Sequence, residues 1–413
     1  MNGSDDGRVT NGPSLEVEED PAVSRFREYL RIKTVQPNPD YAPAIKFLKG
    51  QAYEIGLSYQ CIQVAPERNV VIMSWEGTDT ALPSLMLNSH MDVVPVFPEK
   101  WSCDPFEAVK RENGDIMARG AQDMKCVGIQ YLEAIRLLKA SGFQPLRTIH
   151  LTYVPDEEIG GLKGMQPFLK METFKMLNVG FALDEGLANP TEAFTVFYAE
   201  RTILWLKVTC FGCPGHASRF VEETAAEKLI KVMNKFMDFR KNEEKRLKED
   251  SSLKLGHVNT INITVLSGGV QPNVIPSEVS TVIDLRVTPL QDMKEFKDMI
   301  HAWLKDAAGD DFEIEWLHKD DHAHPTSIDE SKNPWWKKFK NTCDTLGMKL
   351  ETEIFPAGTD SRYLRQLGLP VLGFSPMNHT PVLLHDNDEF LNERIFLRGI
   401  DIYKNLITNL SNL

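Results

Sequence analysis

The chain has 413 residues, of which 42% are hydrophobic and 25% charged, and its formal net charge is −13. The length predicts roughly two or three domains, and the composition excludes a largely disordered chain. The acidic balance argues against non-specific nucleic-acid binding and against a basic membrane-binding face, so we expect neither partner.

The beginning of the chain is polar. Residues 1–20 are rich in Gly, Asn, Ser, Asp and Glu and contain no apolar core segment, which predicts a disordered tail and no secretion signal. No run approaches about 18 apolar residues, so no membrane span is expected. The six cysteines are therefore expected to be reduced thiols in a cytoplasmic (cytosolic) protein.

The first structured part begins with two predicted helices over residues 21–56, where apolar side chains recur at helical spacing. Apolar runs then predict buried strands over residues 70–75 and 82–87. The second strand leads to His90 and Asp92. Such a pair suits a metal ligand with its orienting carboxylate, although a surface loop can carry the same pair by chance.

Three acidic segments follow, each at the end of a strand or the start of a helix. Asp123 precedes a predicted helix that stops at Gly142, and strands are predicted over residues 148–154 and 179–183. The acids after these two strands are Glu157, Glu158 and Glu185. Because ligands bind outside the carboxyl ends of strands in open α/β sheets, we expect these side chains to face one crevice.

From about residue 201 to residue 316 the pattern changes to β-α-β-β-α-β, the ferredoxin-like arrangement. A polar linker over residues 320–332 leads back to a helix, a strand and a closing amphipathic helix. We therefore predict an α/β fold with a split catalytic domain, whose mainly parallel sheet is flanked by helices, and an inserted ferredoxin-like α+β domain. The predicted boundaries are 1–20 for the tail, 21–198 and 321–413 for the catalytic parts, and 199–320 for the insertion.

The collected candidates contain two histidines and several carboxylates, without a cysteine ligand. They are His90, Asp123, Glu157, Glu158, Glu185 and His385. This set suits a pair of Zn²⁺ ions that share one carboxylate at the ~3.5–4 Å separation of two-metal hydrolytic sites. Because Glu157 and Glu158 are adjacent, one can bind metal while the other stays free as a general base.

Several ordered motifs point to a known family. They are S-H-M-D-V-V-P, R-G-A-Q-D-M-K, P-D-E-E-I-G-G, L-D-E-G, P-G-H-A-S, P-N-V-I-P and L-L-H-D. On these motifs the chain resembles the zinc-dependent family of amidohydrolases and exopeptidases that includes carboxypeptidase G, carnosinase-type dipeptidases and aminoacylase. The signatures P-G-H-A-S-R-F, G-T-D-S-R-Y and N-P-W-W are most similar to the aminoacylase branch.

The resemblance implies two Zn²⁺ per subunit and a role for each candidate ligand. Asp123 would bridge the two ions, His90 and Glu185 would complete one site, and Glu158 and His385 the other.

It also implies the residues that act on the substrate. Asp92 would orient His90, and Glu157 would take a proton from the attacking water and pass it to the leaving amine. His216, from the inserted lid and dimerisation domain, would stabilise the oxyanion in the partner subunit's site, so a homodimer is expected. Arg362 and Asn273 would bind the substrate, with the guanidinium reading its α-carboxylate.

The function implied by this branch is hydrolysis of N-acyl-L-amino acids to a carboxylate and a free amino acid. The alternatives are a dipeptidase or carboxypeptidase with the same zinc site, and a catalytically silent paralogue that binds metabolites or proteins. Glu157 argues against silence, because a silent descendant need not keep a base beside its ligands. His216 and Asn273 could instead be turn residues, and Arg362 a structural ion-pair donor.

Overall fold

The structure is a computed structural model that describes residues 19–413, so the predicted tail over residues 1–20 lies outside it except for its last two residues. The first part contains the helices α1 (Pro21–Leu30), α2 (Ala42–Ile55), α3 (Lys125–Ala140), α4 (Met165–Leu169) and α5 (Glu172–Met176). Its strands are β1 (Ser58–Ala65), β2 (Arg68–Trp75), β3 (Ser84–His90), β4 (Val109–Lys110), β5 (Asp115–Met117), β6 (Ile149–Val154), β7 (Val179–Asp184) and β8 (Phe194–Glu200).

The middle part contains β9 (Thr202–Phe211), β10 (Gly215–His216), α6 (Ala225–Glu249), β11 (Thr260–Gly268), β12 (Val274–Ile275), β13 (Glu278–Val287), α7 (Met293–Ala308) and β14 (Phe312–Lys319). The last part contains α8 (Pro334–Thr345), β15 (Leu350–Phe355), α9 (Ser361–Gln366), β16 (Val371–Phe374), β17 (Phe390–Asn392) and α10 (Glu393–Leu410).

One large sheet takes strands from both ends of the chain, in the order β1-β2-β6-β3-β7-β16-β8-β15. Its central strands β6, β3, β7 and β16 run parallel. Side chains alternate between two apolar layers, so that Leu85 and Leu87 of β3 pack on one face and Met86 on the other. Both faces are covered by helices, which explains why β3 and β6 are buried along their whole length.

The middle part forms a separate antiparallel sheet in the order β11-β13-β9-β14, with α6 and α7 packed on one face. On β9, Leu204 and Leu206 point into this second core, whereas Trp205 between them is partly exposed. The predicted fold class is therefore confirmed: a mainly parallel sheet built from two chain segments, and an inserted ferredoxin-like unit. The domain boundaries at residues 198/199 and 320/321 stay predictions.

Sequence reasoning missed three strands of the large sheet. β1 and β15 form its two edges, and their half-exposed, mixed-polarity residues lack the apolar run that marks the interior strands. β8 is buried, but it ends only two residues before β9 begins, and the sequence pattern predicts strands there only from about residue 201 onward. The strand predicted over residues 82–87 extends to His90, so this histidine is part of the ladder rather than of the following loop.

The return segment packs back onto the first core. Asn333 caps α8 by accepting hydrogen bonds from the main-chain N–H groups of Trp335 and Trp336. Trp335 stacks on Phe181 of β7 with ring centroids 5.1 Å apart, so this tryptophan is a core residue. No helix among the described residues is long and apolar enough to cross a membrane.

A buried histidine at the amino end of β6 gives the fold a testable pH dependence. His150 on β6 accepts a hydrogen bond from the Ser74 hydroxyl at Nδ1 and donates one from Nε2 to the Leu177 carbonyl. Burial lowers the pKa of His150 to about 4 from its ordinary value of 6.5. The neutral ring therefore contributes stability that is fully present above pH 6.5 and is lost as the pH falls towards 4.

We expect His150→Gln to destabilise the protein more at pH 7.5 than at pH 5, because the variant no longer has this proton-linked term, worth about 1.4 kcal/mol per pH unit between the two pKa values. Urea unfolding at both pH values measures the difference. His301→Gln, at an exposed position of α7, is the control and should show no such difference. An equal loss for His150→Gln at both pH values would contradict the assignment.

Candidate active site

Three neighbouring parallel strands deliver the first site residues to one edge of the large sheet. β3 ends at His90, which pairs with Val154 at the end of β6, and β7 ends at Asp184. Asp156–Glu158 follow β6, and Glu185 follows β7. Because these strand ends lie side by side, their side chains meet in the crevice beyond the sheet.

Asp123 lies between two histidines that come from opposite ends of the chain. His90 Nε2 is 3.0 Å from Asp123 Oδ1, and His385 Nε2 is 3.3 Å from Asp123 Oδ2. His90 Nε2 is also 3.6 Å from Glu185 Oε2. His385 Nε2 is 2.9 Å from Glu158 Oε2. The structure thus gathers all five predicted ligands into two groups that share Asp123, each with its ligand atoms within 4.8 Å of one another.

The side chains of His90 and of the three acids in the cluster are largely buried, whereas the His385 side chain is 51% exposed. Burial alone would lower the pKa of His90, but its contacts with Asp123 and Glu185 raise it well above the ordinary value. Burial and the nearby Asp123 charge raise the pKa of Glu158 to about 7, although contact with His385 opposes this shift. The negative charge of the clustered carboxylates therefore stabilises positive charge next to His90 and His385.

The donor set fits two zinc ions. Each group offers one imidazole nitrogen and two carboxylates, and Zn²⁺ binds nitrogen and oxygen donors of this kind. Glu158 Oε1 is buried without a hydrogen-bond partner among the described residues, so this oxygen is available for a further bond. Asp123 directs one oxygen to each histidine, as a carboxylate shared by two ions requires.

Asp92 lies behind His90 and supports two parts of the site. His90 Nδ1 is 2.9 Å from the main-chain carbonyl of Asp92 and 3.7 Å from its Oδ1. Nδ1 therefore donates its proton to that carbonyl, which leaves Nε2 as the ring nitrogen that faces the cluster. The Asp92 carboxylate instead accepts hydrogen bonds from the main-chain N–H groups of Glu157 at 3.2 Å and Glu158 at 3.1 Å.

Glu157 is placed as a free carboxylate beside the ligand groups. It is 9% exposed and lines the cavity above them, and no described residue donates a hydrogen bond to its side chain. Burial, together with the Glu185 charge, raises the pKa of this carboxyl well above its ordinary value. Its neighbour Glu158 turns to His385, so the two adjacent glutamates are held in different environments.

The cavity has a volume of about 500 Å³ and is lined by both the large sheet's loops and the inserted sheet. The part of the chain built on the large sheet contributes Glu157, Glu158, His385 and Arg362 to this lining. The inserted sheet contributes Ile203, Trp205, Arg286 and His318. Arg362 donates from Nη1 to the Thr359 carbonyl at 2.7 Å and from Nη2 to the Gly160 carbonyl at 2.9 Å.

His216 and Asn273 lie together, but apart from Glu157. β10 pairs with β12 in a small two-stranded sheet, and Ala217 N donates to the Asn273 carbonyl at 3.0 Å. Both side chains are exposed. Among the described residues that line the cavity at Glu157, neither His216 nor Asn273 is present.

Sequence reasoning missed a buried carboxylate that supports Asp123. Glu389 accepts hydrogen bonds from the main-chain N–H groups of Gly120 at 3.1 Å and Gln122 at 2.6 Å, and from Arg119 Nη1 at 2.8 Å. It lies four residues after His385, in the same acidic stretch, and that position was its only sequence signal. Glu389 thereby joins the turn before α3 to the segment that carries His385.

A second missed group fixes Asp92. Gln36 Nε2 donates to Asp92 Oδ2 at 2.8 Å and to Asp156 Oδ1 at 3.0 Å. Asp156 also accepts from Tyr41 at 2.8 Å and from Arg68 at 2.6 Å. Gln36, Tyr41 and Arg68 lie outside the motifs that contain Asp92 and Asp156, and no motif marks these three residues.

Comparisons with known proteins agree with this geometry. A family model described as peptidase family M20/M25/M40 matches residues 86–409. Aminoacylase-1A of Rattus norvegicus is 54% identical over 405 residues, which cover 98% of each chain.

Solved structures share the fold. A metallo-carboxypeptidase of the M20 family from Sulfolobus solfataricus has a TM-score of 0.71 at 17% identity, covering 95% of this chain and 100% of that one. A Bacillus subtilis protein described as a dinuclear metal-binding peptidase from the M20 family has a TM-score of 0.68 at 13% identity, covering 94% and 98%. The resemblance drawn from the motifs is confirmed, and the chain belongs to peptidase family M20/M25/M40.

Proposed function

We propose that this protein hydrolyses N-acyl-L-amino acids to a carboxylate and a free L-amino acid. The observation that carries the proposal is the free Glu157 carboxylate beside two ligand groups that share Asp123, in a chain 54% identical to an aminoacylase-1A over 98% of its length. The substrates are small molecules, and the proposed location is the cytoplasm.

Two Zn²⁺ ions per subunit are the proposed cofactors. His90, Asp123 and Glu185 would hold one ion, and Asp123, Glu158 and His385 the other. Bound zinc supplies Lewis acidity, which polarises the scissile carbonyl and makes water more acidic. The main-chain carbonyl of Asp92 keeps His90 in the tautomer that presents Nε2 to the metal.

Glu157 is the proposed general base. Its carboxylate takes a proton from water as the water oxygen attacks the acyl carbon. It then gives that proton to the amide nitrogen as the C–N bond breaks, which releases a carboxylic acid and an amine. The acid proton passes to the amine, so the final products are a carboxylate and an ammonium group. The hydrogen bond from the Glu157 main-chain N–H to Asp92 fixes the turn that aims this side chain.

Arg362 is the proposed reader of the substrate's α-carboxylate. It lines the cavity together with Glu157, so its guanidinium lies in the same cavity as the proposed base. A guanidinium matches the planar geometry of a carboxylate, which supports this role.

The inserted domain, residues 199–320, is the proposed lid and homodimerisation domain. β11 is an edge strand of its sheet, and Val265 and Leu266 on β11 and Ile230 on α6 are exposed. An unpaired strand edge beside apolar side chains suits association with a second copy. The position of His216 and Asn273 away from the Glu157 cavity supports their action in the partner subunit's site.

A substrate comparison tests the activity. Zinc-loaded protein should hydrolyse N-acetyl-methionine, should turn over simple dipeptides poorly, and should lose both activities when a chelator removes the metal. Released amino acid is measured directly. Cleavage of the dipeptides alone would replace the proposal with a dipeptidase or carboxypeptidase, and no turnover of either substrate would leave a binding paralogue.

A comparison of Glu157→Gln with Glu158→Gln tests which of the two adjacent glutamates is the general base. We expect kcat to fall by at least about 100-fold, because the amide cannot accept the proton, while both zinc ions remain bound. Glu158→Gln is the matched comparison and should lose zinc as well as activity. Metal analysis beside the kinetics decides, and loss of zinc from Glu157→Gln would contradict the base assignment.

Mixed dimers test whether His216 acts across subunits. A heterodimer of Glu157→Gln and His216→Ala subunits has one site with Glu157 and the partner's intact His216. A random mixture should therefore regain about one quarter of wild-type activity, since half its dimers carry one working site. Verified heterodimers without activity would show that His216 does not act in the partner's site.

A further inference from the structure

Arg362 faces a buried carboxylate that none of the roles above uses. Asp320 is the first residue after β14, and its Oδ2 is 3.6 Å from Arg362 Nε. The side chains are 7% and 6% exposed. Neither of these two atoms has a hydrogen-bond partner among the described residues, and no other described carboxylate lies within ion-pair distance of Arg362.

The remaining contacts of the Arg362 guanidinium come from the large sheet's loops. Thr359 and Gly160 accept from its two terminal nitrogens, and the Tyr363 hydroxyl lies 3.3 Å from Nη2. These neutral oxygens fix the far side of the group but do not balance its charge. Glu200, a further acid nearby, accepts instead from Arg365 and Thr359. Asp320 is therefore the carboxylate placed to compensate and orient this buried cation.

Asp320 is itself attached to the inserted sheet. Its main-chain N–H donates to the Ile203 carbonyl at 3.1 Å, and its Oδ1 is 3.1 Å from His318 Nε2. The His318 ring lies 5.1 Å from the ring of Trp205. Ile203, Trp205 and His318 all line the cavity that Arg362 enters. One carboxylate thus links the arginine on α9 to the sheet that forms the opposite wall.

We propose that Asp320 is a positioning residue that sets the orientation of Arg362 and couples it to the inserted sheet. Asp320 is absent from the residues lining the cavity, so it acts through Arg362 and does not contact the substrate. The inference rests on the proposed function, because it assumes that Arg362 reads the α-carboxylate of an N-acyl amino acid. Asp320 then determines preference for substrates that carry this carboxylate.

The test compares two substrates that differ only in that group, N-acetyl-methionine and N-acetyl-methionine amide. The readout is the ratio of their kcat/KM values, with zinc content and thermal unfolding measured for every variant. For Asp320→Asn we expect KM for the acid to rise about tenfold while kcat stays within about twofold, and the ratio to fall accordingly. Asp320→Glu, which keeps the charge, should recover most of the ratio.

The matched control is Asp321→Asn, an exposed carboxylate on the next residue, which should keep the wild-type ratio. If Asp320→Asn does not fold, Asp320→Ser replaces it, because this variant also removes the carboxylate and should lower the ratio in the same direction. An unchanged ratio in the folded variant, or an equal loss of kcat/KM on both substrates, would overturn the positioning role.

The Arg362→Lys variant distinguishes failure of the Asp320 positioning role from failure of the proposed substrate role of Arg362. If Arg362→Lys lowers the ratio and Asp320→Asn does not, the positioning role alone is wrong. If Arg362→Lys keeps the wild-type ratio, Arg362 does not read the carboxylate, and the proposed substrate role of Arg362 is overturned together with the inference.

Discussion

The site depends on one carboxylate, Asp123, that is held between two imidazoles contributed by opposite ends of the chain. Its two oxygens lie 3.0 Å from His90 and 3.3 Å from His385. Glu158 and Glu185 complete the cluster, and burying so many acids is costly unless positive charge balances them. The large sheet takes strands from both ends of the chain, and the second chain segment brings His385 back to the strand ends that carry the other ligands.

Asp123 and Glu157 are each held by a partner that is distant in sequence. Glu389 fixes the turn of Asp123, Asp92 fixes the turn of Glu157, and Gln36 ties Asp92 to Asp156. Such supporting contacts limit the movement of the site and give it a defined geometry before any substrate binds. Asp320 is a supporting contact of the same kind for Arg362, and its main-chain bond to Ile203 links Arg362 to the inserted sheet.

Much of this fold was predictable, because apolar runs that end in His or acidic residues mark the interior strands and the edge at which they open. The ferredoxin-like order was equally visible, since its strands alternate in polarity and its helices are long. The edge strands β1 and β15 were not, because half-exposed strands carry no strong pattern.

The supporting residues could not be found from sequence for a different reason. Gln36 lies 120 positions from Asp156, and Glu389 lies 267 positions from Gln122, so only the folded chain brings these partners together. The sequence predicts a polar linker that begins at Asp320, where a charged residue indicates solvent exposure, yet the side chain is only 7% exposed and faces Arg362. His216 and Asn273 were identified through family motifs, and one chain does not place them at the Glu157 cavity.

The central claim is that Asp123 is shared by two metal ions, and anomalous diffraction at the zinc absorption edge tests it most directly. Crystals of the zinc-loaded protein should show two peaks per chain, about 3.5–4 Å apart, with one Asp123 oxygen on each. His90 and Glu185 should bind one ion and Glu158 and His385 the other. A single zinc ion at full occupancy, or two ions with Asp123 bound to one alone, would contradict the account.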